Sequence, residues 1–416
     1  MQSREVFTQL LGIGKPWFVK QVELALKDRE VRVTVDLDDS AILVCPTCNT
    51  ACPGYDRRER RWRHLDTMQY QTWVIAQVPR LKCPIHGAIQ INVPWAEDRS
   101  RFTAMFEALV IDWLQETSMS SLTRQLCLTW DQVAGIQARA VARGLSRRTL
   151  SAPKFVGVDE TSFQKRHEYV TSVIDLERGV VLHVADQRDQ AALDGFYQLL
   201  GPERCAQIEA VAMDMWKPYI NSTRAYLPNA DEKIVFDKFH IAKHLGDAVD
   251  KVRRQEHREL MKQGDGRLNR SKYLWLQNPD SLTTDQTTWF RELRQSGLKV
   301  ARAWALKDLA MNLWDYVTRG WAERMWTRWY NWAIRCRLEP IKKVARMIRN
   351  HWQGVMNAVT SNVTNAASEG MNSRIQWIKR KACGYRNREN FRNAIYFHCG
   401  GLDLYPKSIH LAHTNS

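Results

Sequence analysis

No apolar run in this sequence approaches the roughly 20 residues that a bilayer-spanning helix needs. The polar opening "MQSREVFTQL" also lacks the apolar stretch of a secretory signal. Both absences point to a cytoplasmic protein without a membrane partner. Cysteine is scarce and odd in number, nine in 416 residues, and four of them cluster between Cys45 and Cys83. A secreted disulfide framework would pair and spread them, so a metal site in a reducing compartment fits better. Acidic residues are outnumbered, 45 against 61 basic ones, giving a formal charge of +16 and a pI near 9.5. The basic residues recur along the whole chain, which favours a polyanionic partner, nucleic acid before membrane.

Length and apolar content allow two or three domains, each with its own core. The 17 tryptophans supply core mass, and some could stack on bases. From Phe18 to Leu37, apolar and polar residues nearly alternate around Lys-Asp-Arg-Glu, the pattern of a hairpin. "CPTC" at Cys45–Cys48 and, after a strand-like stretch, "CPIHG" from Cys83 form two short ligand pairs just off strands. That layout is a zinc ribbon with Cys45, Cys48, Cys83 and His86 as ligands. Cys52 is near enough to compete, and the bland alternative treats the cysteines as small apolar residues. These features define an N-terminal zinc-binding domain over residues 1–97.

Residues 98–150 turn helical in three segments, the third opened by Thr129 and Gln132 at capping-box spacing. A tight turn before the last helix suits a helix-turn-helix, which would present Gln137, Arg139 and Arg143 to DNA. Small helical bundles share the pattern. After a linker at 146–154 the periodicity changes to buried strands, "KFVGVDETSF", "CAQIEAVAMDMW" and "EKIVFDKFH", with a hairpin and helices between them. That order predicts a mixed α/β domain over 151–416, interrupted by a charged, Trp-rich helical insertion at about 245–355. The tail beyond Tyr385 carries no strong pattern.

Asp159 follows "FVGV" and Asp214 follows "VAM", so each carboxylate is carried by a strand pinned in the core. In open α/β sheets the carboxyl ends of the strands form the ligand edge. In "SNVTNAASEGMNSRIQWIKRK", Ala367, Met371, Ile375 and Ile378 make one helix face, while Asn365, Glu369, Asn372 and Gln376 make the other. Taken singly, each aspartate reads equally as a turn cap, and Glu369 as a solvated acid. Taken together, Asp159, Asp214 and Glu369 can hold two divalent ions about 4 Å apart for phosphodiester chemistry. Asn365 and Asn372 would orient Glu369 or touch the DNA backbone. Asp237 and His240 would support the site from behind or cap the next helix, and Lys379, Arg380 and Lys381 would contact phosphates. Glu160 and Glu177 read as turn residues.

At this point the sequence resembles the transposases of the ISL-three-type bacterial insertion sequences, in the DDE (RNase H-like) superfamily. The resemblance rests on "CPTC…CPIHG" with "RRWRHLDTMQYQ" and "VPWAE", then "VGVDE", "AMDMWKPY", "FDKFHIAKHL" and "SNVTNAASEGMNSRIQWIKRKACGYRNRENFR", in that order over nearly the whole chain. It implies an RNase H-like catalytic sheet with a helical insertion, and Asp159, Asp214 and Glu369 as the catalytic triad holding Mg²⁺ or Mn²⁺. It also implies Zn²⁺ in the ribbon, where the family often has cysteine at the position of His86. The implied activity is binding of terminal inverted repeats, cleavage there, and joining of the ends to target DNA. The implied setting is the bacterial nucleoid, with a homodimer or higher oligomer to bring two ends together. A nuclease without strand transfer, or a DNA-binding regulator without catalysis, are the alternatives.

Overall fold

Alternation of Val31, Val33, Val35 and Leu37 with Arg32, Thr34 and Asp36 gives the first sheet one buried and one wetter face. The computed structural model describes residues 3–164, 168–316, 318–360 and 366–407. The chain divides into two units, Met1–Thr149 with Ile378–Ser416, and Leu150–Trp377. In the first unit, β1 (Trp17–Ala25) and β2 (Glu30–Leu37) form the expected antiparallel hairpin. The long strands β3 (Gly54–Thr67) and β4 (Tyr70–Cys83) form a second hairpin; β4 also pairs in parallel with β2 and carries the short β5 (Gly87–Gln90). Trp17 and Trp62 each meet Trp95 edge to face, with ring centroids 5.0 and 5.4 Å apart. Each such pair adds about 0.5–1.5 kcal/mol beyond its buried area.

Three helices follow: α1 (Ala104–Glu116), α2 (Met119–Gln125) and α3 (Trp130–Arg147). Thr103 and Ser118 accept from the backbone amides of Phe106 and Ser121, and Thr129 with Gln132 makes the full capping box that their spacing predicts. Phe106, Ile111, Leu122, Val133 and Ile136 bury the shared apolar face.

In the second unit, β6 (Phe155–Gln164), β7 (Glu168–Asp175) and β8 (Val180–Asp186) form an antiparallel meander. Strands β9 (Ala210–Met213) and β10 (Ile234–Phe236) add in parallel on the other side of β6, giving the order β10-β9-β6-β7-β8. The parallel strands β9 and β10 are short and wholly apolar, as strands covered on both faces must be. Helices α4 (Gln190–Leu200) and α5 (Lys217–Tyr226) supply Phe196, Tyr197, Tyr219 and Ile220 to the core. The two tyrosine hydroxyls are satisfied: Tyr197 with Thr223 at 2.9 Å and Tyr219 with Thr171 at 2.8 Å.

Two boundaries differ from the sequence reading. Cys205 lies in a short helical turn, Pro202–Ala206, so the strand after it is only Ala210–Met213. Glu160 lies within a strand, opposite Thr171, because β6 continues through the acids instead of ending there.

From α6 (Lys238–Lys262) to α7 (Glu339–Asn350) and α8 (Trp352–Thr360) the described residues form no strand. This region packs into the same core as the sheet: Trp275, Trp326 and Trp329, all fully buried, belong to one apolar cluster with Val156 and Val211. Helix α9 (Ala366–Lys381) then belongs to the second unit through Trp377 and to the first from Ile378. Beyond it, the tail forms α10 (Arg388–Cys399), whose Phe397, with Leu404 after it, joins the apolar cluster of α1–α3.

Candidate functional site

Register brings the two aspartates to one edge. Gly157 of β6 pairs with Ala212 of β9, so Asp159 and Asp214, each two residues further on, project from the same face of neighbouring parallel strands. Met213 pairs with Phe236 of β10, which puts Asp237 at the next strand end. Asp159 sits within β6, opposite Ser172, and Asp214 immediately follows β9. Each aspartate uses one oxygen to accept from the amide of its own next residue, Glu160 and Met215, both at 2.6 Å. Burial pushes the Asp159 carboxyl above the ordinary aspartate range; the Glu160 amide, the charge of His240 and the Asn372 side chain pull the other way.

Helix α9 approaches this edge closely. A Cβ at Gly157 would lie 2.5 Å from Ser368 Oγ and 2.7 Å from Leu176 Cδ2, so only glycine admits the helix here. Asn372 donates from Nδ2 to Asp159 Oδ2, and its carbonyl oxygen lies 3.5 Å from Thr161 Oγ1. Met371 and Ile375 are buried behind it, while Glu369, on the preceding turn, is exposed. Asn365 lies outside the described residues.

His240 stands between two of the strand-end acids, its Nδ1 3.6 Å from Asp214 Oδ2 and its Nε2 3.7 Å from Asp237 Oδ2. Those distances exceed a hydrogen bond but suit an ion pair when the ring is protonated. Asp237 is nearly buried and also caps α6, accepting from the Phe239 amide at 2.8 Å. The cap offered for Asp237 is thus present, with His240 beside it.

A second cluster lies in the first unit. Donor atoms of Cys45, Cys48, Cys83 and His86 lie within 4.8 Å of one another. The edges Cys48 Sγ–Cys83 Sγ, Cys45 Sγ–His86 Nδ1 and Cys83 Sγ–His86 Nδ1 measure 3.7, 3.6 and 3.5 Å. Tetrahedral zinc, with Zn–S of about 2.3 Å and Zn–N of about 2.0–2.1 Å, calls for edges of roughly 3.8 and 3.6 Å. The donor set therefore fits the ion. Backbone amides of His86 and Ile85 lower the Cys83 thiol, and the hydroxyl and amide of Thr50 lower Cys48, as thiolate ligands require. Cys52 is the converse: burial raises it, and its thiol donates to the Thr50 carbonyl at 3.3 Å, outside the cluster.

Two of the residues expected to face DNA are instead buried. Gln137 is buried within α3. Arg143 is also buried, its guanidinium held by Glu97, Glu107 and the Leu404 carbonyl. Arg139, partly exposed, is bound to the same Glu107. Lys381 donates to the Gln115 carbonyl at 3.1 Å, and partial burial lowers its pKa. Lys379 and Arg380 are half-buried and exposed in the last turn of α9. The sequence reading missed Glu97 and Glu107, whose pairing with arginine no local pattern signals; Ser100 donating to Glu107 at 2.8 Å completes that network.

Residues 156–395, more than half of the chain, match the ISL3 family model described as a transposase of the DDE type. Residues 91–141 match the helix-turn-helix domain of transposase family ISL3, and 43–86 match the zinc-finger of transposases IS204, IS1001, IS1096 and IS1165. Among similar proteins, the transposase for insertion sequence element IS1557 of Mycobacterium tuberculosis is 26% identical over 93% of both chains. The transposase for IS1001 of Bordetella parapertussis is 27% identical over 84% of this chain and 87% of its own. Among the described residues, no helix is long and apolar enough to cross a membrane.

Proposed function

The chain belongs to the ISL3 family of transposases, and on that premise we propose that Asp159, Asp214 and Glu369 are its catalytic carboxylates. The strand order β10-β9-β6-β7-β8, with three antiparallel and two further parallel strands, supports an RNase H-like reading of the catalytic unit. One observation carries the site: the Asn372–Asp159 hydrogen bond, which sets the helix turn bearing Glu369 against the strand bearing the first aspartate.

All three groups offer hard oxygen ligands, and the half-buried Asp159, raised by burial, gains from a cation beside it. A pair of Mg²⁺ or Mn²⁺ ions held there supplies an activated nucleophile and a stabilised leaving oxygen. The protein's own part is to fix the carboxylates. The Glu160 and Met215 amides and Asn372 hold the aspartate oxygens, while His240, between Asp214 and Asp237, restrains the second aspartate. The activity would be binding of the element's terminal inverted repeats, cleavage at the ends and joining to target DNA, by a dimer or larger assembly that pairs two ends. Zn²⁺ on Cys45, Cys48, Cys83 and His86 would stabilise the N-terminal ribbon.

Purified protein with labelled terminal-repeat DNA and Mg²⁺ tests the proposal. Asp159→Asn, Asp214→Asn and Glu369→Gln should each abolish cleavage while leaving DNA binding intact. Cleavage by these variants at the parental rate, or insensitivity to EDTA, overturns the site. Cleavage without a joined product on a supercoiled target would reduce the activity to that of a nuclease.

A further inference from the structure

We propose that a cavity beside Asp214 is a pocket for one unstacked nucleotide of the DNA flanking the cleaved bond; this rests on the catalytic reading above and gives the helical region a part in it. The cavity, about 530 Å³, lies between the start of α5 and the corner joining α7 to α8. That is within the range of about 300–1,000 Å³ usual for small-ligand pockets.

Its wall is built into the catalytic strand ends. Trp216 follows Asp214 by two residues, and its backbone amide donates to the Asp214 carbonyl at 2.7 Å. The indole Nε1 donates to the Arg188 carbonyl at 2.8 Å, and the Arg188 guanidinium lies 4.2 Å from the ring centroid. Arg188 also pairs at 2.8 Å with Glu160, the neighbour of Asp159. The indole is thus oriented by residues adjoining both aspartates, yet it remains 36% exposed and lines the cavity.

The helical region contributes Trp352 and His351. Arg349 lies 4.9 Å over the Trp352 ring, and His351 sits edge-on to Phe236 with its Nδ1 2.9 Å from the Met347 carbonyl. A Cβ at Gly354 would fall 2.4 Å from the Phe236 ring, so the start of α8 is pressed directly onto the end of β10. Asn221, Asn350 and Lys217 line the same cavity, as does Arg224, which pairs with Asp231 at 2.7 Å. Aromatic planes for a base, amides for its edge and a cation for its phosphate are the requirements of a single nucleotide held outside a duplex. An apolar ligand would use neither the amides nor the charge.

The test uses the full chain and terminal-repeat duplexes, first without divalent metal so that binding is read apart from cleavage. A thymine placed at successive positions around the scissile bond should become reactive to permanganate at one position when the parent binds, and lose that reactivity with Trp216→Ala or Trp352→Ala. With Mg²⁺, both variants should cleave intact DNA about tenfold more slowly, as loss of one base stack implies. Trp216→Phe should restore most of the rate, and an abasic site at the reactive position should bring parent and alanine variants to the same rate. The pocket is overturned if no base becomes reactive and the alanine variants cleave like the parent. It is also overturned if free nucleoside monophosphates bind the protein as tightly as the terminal-repeat DNA and abolish the thymine's reactivity, because the pocket would then serve a soluble nucleotide. If the parent binds and exposes a base but never cleaves, the catalytic reading fails while the pocket stands.

Discussion

Asn372 donates its side-chain N–H to Asp159, joining α9, one turn past Glu369, to β6. Two elements far apart in sequence thereby hold a fixed relation where the proposed catalytic oxygens must not drift. The contact works with Gly157, which lets Ser368 of the same helix approach the strand.

Removing that tie should slow chemistry without weakening DNA binding. Asn372→Ala is expected to lower the cleavage rate about 10- to 100-fold, the range typical for groups that orient metal ligands. Single-turnover cleavage, alongside end-DNA affinity measured without metal, checks the split. An equal loss in both would make Asn372 a DNA contact instead.

Asp159 should exchange stability for function. Its folded pKa is raised by burial, so its stabilising contribution is full below the unfolded value near 3.9 and is lost as pH rises through the folded value. At neutral pH the ionised group therefore strains the metal-free fold. Asp159→Asn should melt higher than the parent at pH 7 without metal, with the gap closing towards pH 4, while Mg²⁺ should stabilise only the parent. Thermal melts across that pH range, in EDTA and in Mg²⁺, decide it.

Zinc content should follow the four clustered ligands and ignore the fifth candidate. Metal analysis is expected to find one zinc per chain, lost in Cys45→Ser and His86→Ala and retained in Cys52→Ser, whose thiol bonds to a carbonyl outside the cluster. Loss of zinc from Cys52→Ser would shift the ligand assignment.

Arg143 should behave as a structural residue and not as a reader of bases. Glu107 is about 1% exposed and accepts from Ser100, Arg139 and Arg143. Stranding a buried charge in such a network costs about 3–5 kcal/mol. Glu107→Ala and Arg143→Ala should each lower the unfolding free energy of the protein by that order, and Arg143→Ala should leave the ranking of DNA sequences unchanged. Denaturant unfolding and competition binding test the two halves.

What the sequence made legible were the features written in local spacing: the β1–β2 alternation, the capping box at Thr129, the paired zinc ligands, and aspartates after apolar strands. Where distant partners decide, local spacing is silent. The periodicity that offers Arg139 and Arg143 as polar residues of α3 cannot reveal that Glu97, Glu107 and the Leu404 carbonyl engage them. Asp159 looked terminal because a second acid, Glu160, follows it, yet β6 continues by pairing Glu160 with Thr171. The α10 helix was missed although Phe391, Ala394, Ile395 and Phe397 carry its buried positions, because arginines and asparagines interleave them.

The unit that holds the zinc cluster and the three-helix segment takes Phe397 and Leu404 from the stretch of chain that follows the second unit in sequence. Synthesis from the N-terminus therefore finishes every strand of the catalytic sheet before α1–α3 can bury their remaining apolar surface or Arg143 can reach its last acceptor. A nascent chain arrested after α9 would carry the proposed carboxylates but an unfinished partner unit. The order of translation thus sets maturation of the first unit behind that of the second.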